Sequence, residues 1–284
     1  MPIDAVKAVA AAPRTAEIRW EHKDIQLYHL GLGAGIPPTD PGELRYTLES
    51  RLHVLPTFTT VAGAGKAVAG VVSLPGIDIE LASVLHGAQS VQVHRPVPVQ
   101  GRAVQSAAVA AVYDKGTAAV IVLRTEAADD EGPLWTNESQ IFVRGEGGFG
   151  GERGPSTKFA RPAVVPDRTV ERRVREDQAL LYRLSGDWNP LHADPDFAAL
   201  AGFDRPILHG LCTFGMAVKA VADTVLGGDV ARIRSCGTRF AGVAFPGETL
   251  RIDMWTSDTR TAVTVCAVER DGAPVLDSTL VEYS

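Results

Sequence analysis

The sequence is short of cysteine, of basic charge and of long apolar runs, and each shortage removes a class of protein. Three cysteines in 284 residues, Cys212, Cys236 and Cys266, are an odd and scattered set. They fit neither a disulfide framework nor a clustered metal site. Lysine and arginine total 28 against 34 acidic residues, a net charge of −6, so no basic field is present to grip nucleic acid by its phosphates. No stretch approaches the roughly 18 apolar residues of a membrane span. The N-terminal segment lacks a basic stretch followed by a long apolar run, and the ending Glu282-Tyr283-Ser284 is not a Ser-Lys-Leu address. These absences predict a cytoplasmic protein. What is present is an ordinary globular balance, 45% hydrophobic and 22% charged, which excludes disorder and leaves apolar area for a sizeable core.

Six glycines fall within residues 144–155. A run of that density cannot sit inside a helix or strand without a large entropic cost. The segment lacks the Gly-Lys-Ser/Thr ending of a phosphate-binding loop, and it reads as a linker. The expected organisation is a first unit over residues 1–143, a linker over 144–160 and a second unit over 161–284.

A midpoint linker invites a search for an internal repeat. Aligning Tyr28 with Tyr182 sets an offset of 154, which also carries Asp40-Pro41 onto Asp194-Pro195. Farther on, Val84-Leu85-His86-Gly87 matches Ile207-Leu208-His209-Gly210 at an offset of 123. Together these matches predict two diverged copies, the first with about 31 extra residues between them. Apolar spacing predicts a long helix over 210–225. Alternation predicts strands over 90–93, 103–113, 118–125 and 134–143, and again over 233–240, 249–255, 262–268 and 275–283. One long apolar helix with an antiparallel sheet in each half is an α+β pattern.

The densest polar cluster is Ser185-Gly186-Asp187-Trp188-Asn189-Pro190-Leu191-His192. Asp187 and His192 lie five apart across an Asn-Pro pair that breaks any helix, so a turn can aim both side chains at one point. A carboxylate and an imidazole converging on water are what proton-transfer catalysis needs. The same residues also suit a plain turn, with Asp187 and Asn189 as caps and His192 as a satisfied, partly buried side chain. The first copy has Gly33 and Pro38 at the matching positions, as expected if one working site survived duplication. Leu208-His209-Gly210 stands where the long helix begins. There the Gly210 amide either donates to an oxygen that gains charge during reaction, or simply starts the helix. Asp187, His192, Asp194 and His209 lack any metal-binding spacing, and no metal is expected. A Gly-x-Ser-x-Gly elbow is also missing.

The string from Tyr182 to His192, with Pro206-Ile207-Leu208-His209-Gly210 downstream, resembles the hydratase 2 motif of MaoC-like (R)-specific enoyl-CoA hydratases. Val84 to Gly87, Asp114-Lys115-Gly116, the glycines from Gly147 to Gly151, and Arg239-Phe240 through Pro246 to Leu250 extend the likeness to the two-repeat form of the peroxisomal type 2 multifunctional enzymes. The resemblance implies a double hotdog: two antiparallel sheets, each wrapped around a long central helix. It implies reversible hydration of trans-2-enoyl-CoA, with Asp187 and His192 as the acid/base pair, Asn189 orienting the site and Gly210 supplying the oxyanion amide. Phe240, Trp188, Pro190 and Leu191 are assigned to the substrate pocket. His86, Gly87 and Lys115 of the first repeat are assigned to the CoA thioester. CoA is then part of the substrate and no cofactor is needed. A homodimer is expected, because sheet edges need cover. The alternatives are a hotdog acyl-CoA thioesterase and a non-catalytic acyl-CoA-binding subunit of a larger dehydratase.

Overall fold

Alternation of apolar and polar residues draws the main strands of this chain into a single antiparallel sheet. The structure, a computed structural model, describes residues 3–63, 73–80, 83–155 and 161–284. The expected linker therefore lies outside the described residues over 156–160. The strands are β1 (Arg14–Trp20), a small pair β2 (Ser73–Leu74) and β3 (Ile77–Asp78), β4 (Val84–Val93), β5 (Gly101–Asp114), β6 (Ala118–Asp129), β7 (Gly132–Arg144), β8 (Arg168–Arg173), β9 (Ile233–Phe240), β10 (Thr249–Thr256), β11 (Arg260–Ala267) and β12 (Ala273–Tyr283). Ten of them form one sheet in the order β1-β5-β6-β7-β4-β9-β12-β11-β10-β8.

That order has the same pattern from either edge, so the sheet is two similar five-stranded halves joined at β4 and β9. The joint is an antiparallel ladder running from Ala88 opposite Arg239 to Gln92 opposite Ser235. Two separate sheets were expected. A single one forms because each half would otherwise present an unpaired central edge, and pairing the two satisfies both rows of backbone groups. The outer edge strands carry charge instead. Arg14, Glu17 and Arg19 lie on β1, and Arg168, Glu171, Arg172 and Arg173 on β8.

The second half wraps a 15-residue helix, Gly210–Thr224, buried without a break from Leu211 to Ala222. Among the described residues the first half has no helix of that length. Its helices are α1 (Ala5–Ala10), α2 (His22–Gly31) and α3 (Pro41–Thr47). The second half adds α4 (Gln178–Tyr182), α5 (Pro195–Leu200) and the long α6 just described.

The offset of 154 holds in three dimensions. Tyr28 of α2 and Tyr182 of α4 meet with ring centroids 5.9 Å apart. The two helices cross so closely that a Cβ on Gly31 would stand 3.0 Å from the Tyr182 Cα. Asp40 caps α3 by accepting the amides of Gly42 and Glu43, and Asp194 caps α5 by accepting those of Asp196 and Phe197. The same offset relates Gly210, where α6 begins, to Pro56, where a short 3-10 turn Pro56–Thr60 begins. The match of Val84–Gly87 to the start of α6 is overturned, and with it the 31-residue insertion, because those residues belong to β4. A four-residue apolar-apolar-His-Gly string has no periodicity of its own. The alternation that follows it through Val93 decides for strand.

The halves are also clamped by charge. The Lys219 ammonium, on α6 and only 8% exposed, donates to Glu43 of α3 at 2.7 Å and to Asp223 at 2.9 Å. Tyr46 donates its hydroxyl to the other Asp223 oxygen at 2.7 Å. Replacing Lys219 by Ala leaves two shielded carboxylates without their cation, which costs about 3 kcal/mol. Urea denaturation of Lys219→Ala is expected to show that loss with an unchanged m-value. A loss below about 1 kcal/mol would mean the cluster is solvated and does not clamp the halves.

Candidate active site

The loop after α4 is built by its own short-range hydrogen bonds. Gly186 takes φ 122°, a conformation that favours glycine. The Asp187 carboxylate accepts the Asn189 amide at 3.2 Å, and the Asn189 side-chain oxygen accepts the Leu191 amide at 3.0 Å. Pro190 then opens a 3-10 turn, Pro190–His192, which ends on the histidine. Asn189 is thus the cap of this turn.

Two histidine hydrogen bonds fasten the loop to the approach of α6. His192 Nδ1–H donates to the Ile207 carbonyl at 2.9 Å, which fixes the tautomer and leaves Nε2 unprotonated. His209 Nε2–H donates to the Asp187 carbonyl at 3.3 Å. The two imidazoles stack, with centroids 3.7 Å apart and planes inclined by 29°. One ligand atom from each of Asp187, His192 and His209 lies within 4.8 Å of the others. That is a donor set of the kind a cation could use, although one nitrogen of each ring is committed to a carbonyl.

His209 is also the N-cap residue of α6, so the start of this helix adjoins the cluster. The Gly210 amide has no acceptor within its helix, and a Cβ there would stand 2.9 Å from the Phe240 ring, so glycine is what lets the ring lie against this turn. Phe240 in turn contacts His86 of the first half, with ring centroids 4.7 Å apart. Gly87 sits at the irregularity in the β4–β7 ladder between His86 and Ala88, and this bulge re-aims the His86 ring. His86 Nε2 is buried without a protein partner.

Burial dominates the electrostatics. It pulls the His86 imidazole down to about 4 against the nearby negative charge of Asp187, and the His209 imidazole down to about 2 with help from His192. The His192 imidazole is lowered by the same desolvation, with Asp187 opposing. All three rings are therefore neutral at pH 7.

The site thus gathers Asp187, His192, Asn189, Gly210, Phe240, His86 and Gly87. Leu191 supports it from behind, its carbonyl accepting the Ile207 amide at 3.3 Å. Trp188 points elsewhere: it is 57% exposed, with the Arg183 guanidinium 4.9 Å from its ring centroid. Lys115 lies in the turn between β5 and β6, three strands from β4. Sequence reasoning weighed His209 only as a metal donor and gave it no part beside the acid/base pair, although a histidine at a helix N-cap that makes no cap hydrogen bond has its ring free for another task.

Comparison with known proteins gives a consistent picture. Residues 19–145 match the MFE-2 hydratase 2 N-terminal domain, and residues 158–272 match the MaoC like domain. The chain is 49% identical over 278 residues to the enoyl-CoA hydratase ChsH3 of Mycobacterium tuberculosis, covering 97% of each. The crystal structure of a MaoC-like dehydratase from Phytophthora capsici superposes with a TM-score of 0.89 at 30% identity, covering 99% of this chain and 98% of that one. A second Mycobacterium tuberculosis protein, described as a double hotdog fold, superposes with a TM-score of 0.59 at 12% identity, covering 96% of this chain and 95% of that one. That likeness bears on fold alone.

The buried imidazoles set an acid limit on stability. The unfolded chain protonates each histidine as pH falls through about 6.5. The folded chain resists until about 4 at His86, about 3 at His29 and about 2 at His209. Between those values the unfolded state binds more protons, so stability is full above about 6.5 and declines as pH falls toward 4. Thermal melts should show the midpoint falling across that window, with a shallower fall in His209→Gln. A midpoint that stays flat from pH 7 to 4.5 would refute the burial of these rings.

Proposed function

We infer the function from one premise: the chain belongs to the MaoC-like dehydratase family, in the two-part form whose first half is a hydratase 2 N-terminal domain. On that premise it is an enoyl-CoA hydratase, adding water reversibly to trans-2-enoyl-CoA to give (R)-3-hydroxyacyl-CoA. The observation that carries the reading is the meeting of Asp187, His192 and His209 within 4.8 Å, with the unprotonated Nε2 of His192, at the turn where α6 begins with Gly210.

Each group then has a task. Attack at C3 moves electron density through C2 onto the thioester oxygen. The Gly210 amide, at the positive end of a 15-residue helix, stabilises that charge. A water held between the Asp187 carboxylate and His192 Nε2 gives up a proton to the imidazole. The adjacent carboxylate offsets the positive charge that results. The imidazolium returns the proton to C2, so the pair ends the cycle as it began. Both groups lie on one loop, so water's oxygen and the proton reach the same face, which is syn addition. His209 acts through others, holding the Asp187 backbone and flanking His192. No step asks for a metal or a redox group.

The first half contributes His86 and Gly87 beside the thioester and Lys115 toward the CoA phosphates, while Phe240 walls the pocket and Pro190 and Leu191 hold the loop behind it. The division into units at 1–143 and 161–284, a cytoplasmic location and a homodimer with one active site per chain belong to the same reading. The sheet's charged edges do not call for a second copy, so the dimer is to be tested by light scattering. Among the described residues no helix is long and apolar enough to cross a membrane.

Loss of the conjugated double bond of crotonyl-CoA is the direct assay. Asp187→Ala and His192→Ala are each expected to lower turnover by roughly 10²–10⁴-fold with circular dichroism unchanged. Near wild-type turnover in either variant would remove it from the mechanism. An (S)-specific dehydrogenase should see little product, and free CoA should not accumulate. Strong (S) signal would overturn the stereochemistry, and stoichiometric CoA release would identify a thioesterase instead. Dialysis against EDTA should leave the rate intact. A rate that falls and recovers with added zinc would assign the Asp187–His192–His209 set to a metal.

A further inference from the structure

The glycine-rich segment does not behave as the linker its composition suggests. Successive amides turn inward and converge on one carboxylate, that of Asp114. Its Oδ1 accepts the Gly116 amide at 2.7 Å and the Gly148 amide at 2.9 Å, and its Oδ2 accepts the Gly150 amide at 2.7 Å. The Asp114 amide donates to the Glu152 carbonyl at 2.8 Å, and the Gly145 amide to the Thr117 carbonyl at 3.0 Å. Gly148 and Gly150 take φ values of 80° and 79°, the left-handed conformation that lets alternate amides face one point. This is an anion-binding nest of the kind that cradles phosphates, and the chain has filled it with its own carboxylate. The amide bonds hold Asp114 well below the ordinary carboxylate range.

A nest plugged in this way cannot itself hold a phosphate, but it fixes what stands around it. The Lys115 ammonium donates to the Arg153 carbonyl, and to the Pro155 carbonyl at 3.2 Å, so the loop that Asp114 shapes also aims the lysine. Two of its three N–H bonds are then occupied and one is left. The Arg153 side chain, on the same loop, is exposed. Two cationic residues thus belong to one loop in a chain of net charge −6, the ammonium of one bonded to the backbone of the other. The ladders β5–β6, β6–β7 and β7–β4 line up Asp114, Ala119, Val143 and Val84, which puts Lys115 at the His86 end of the sheet. Three strand spacings make that about 14 Å. A pantetheine arm is about as long as a four-residue extended peptide, ~14 Å.

We propose that Asp114 is a positioning residue for substrate: by ordering the glycine-rich loop it holds Lys115 and Arg153 as the seat of the CoA phosphates. The proposal rests on the hydratase reading, since it takes the substrate to be a CoA thioester. Asp114 touches no substrate itself. Its effect passes through the loop, so it should appear in the binding of the nucleotide end and not in the chemistry.

The test compares crotonyl-CoA with crotonyl-pantetheine, which lacks the nucleotide, in wild type, Asp114→Asn, Lys115→Ala and the double variant. Asp114→Asn keeps the shape of the side chain but loses its charge and one acceptor. Its KM for crotonyl-CoA at low salt should rise about tenfold, the worth of a charge-assisted contact, with the difference shrinking as salt screens the site. Its KM for crotonyl-pantetheine should stay at the wild-type value, and kcat should change less than about twofold on either thioester. The double variant should lose less than the sum of the two single losses, because both changes act on one seat. Equal losses on both thioesters, additive losses, or no loss at all would overturn the proposal. If wild type hydrates neither thioester, the hydratase reading fails on its own. Calorimetric titration with CoA then decides the role of Asp114: binding weakened by Asp114→Asn upholds it, and equal binding overturns it.

Discussion

The hydrogen bond from His192 Nδ1–H to the Ile207 carbonyl is the constraint on which the site depends. It does two things that a turn alone cannot. It selects the tautomer that leaves Nε2 bare, and it ties a loop with no regular structure to the segment that enters α6. The return bond from His209 to the Asp187 carbonyl closes the arrangement, so the loop and the helix start hold each other. The carboxylate, the imidazole and the helix amide come from two stretches of chain, and these bonds make them one rigid group. A site held only by its loop would sample many relative positions of the three, at a cost in rate far beyond the worth of one hydrogen bond.

The rigid group needs a rigid support, and the fold supplies it through the α2–α4 crossing. Gly31 lets the Tyr182 backbone approach to van der Waals distance, and the loop bearing Asp187 leaves directly from the end of α4. The Lys219 cluster secures the same pair of halves farther along α6. Burial is the counterweight. The same packing that fixes the histidines lowers their basicity, so the site works with neutral rings and the nearby Asp187 charge must restore proton affinity at His192.

Much of this was legible in the residues, and the failures have physical causes. Eight central strands and the long helix follow from alternation and from an apolar run, which are strong one-dimensional signals. Edge strands β1 and β8 were missed because edges are charged to prevent association, and Arg-Thr-Val-Glu-Arg-Arg looks like a surface loop. The Asp187–His192 loop was readable because Asn-Pro announces a turn. His209, weighed only as a metal donor, was not tied to the loop because its partner, a backbone carbonyl 22 residues away, leaves no mark on spacing. The segment 144–155 misled because glycine supplies flexibility and also the left-handed turns of a nest. Only the position of Asp114, invisible in composition, decides between them.

The unequal fates of the two halves follow from one position. Where the second half starts its long helix with Gly210, the first half has Pro56. Proline has no N–H, so no donor exists at the point where the second half presents its free amide. Gly33 stands where Asp187 would be, with φ 84°, a left-handed backbone that favours glycine, so a side chain returning there would be strained. The first half therefore has no counterpart of the Asp187–His192 pair or of the free Gly210 amide. Restoring the carboxylate and imidazole alone could not restore chemistry there, because the negative charge would form against a proline ring. What the first half keeps is reach: β4 carries His86 across the joint between the halves into ring contact with Phe240. A copy without the pair is thereby still part of the wall of the candidate site.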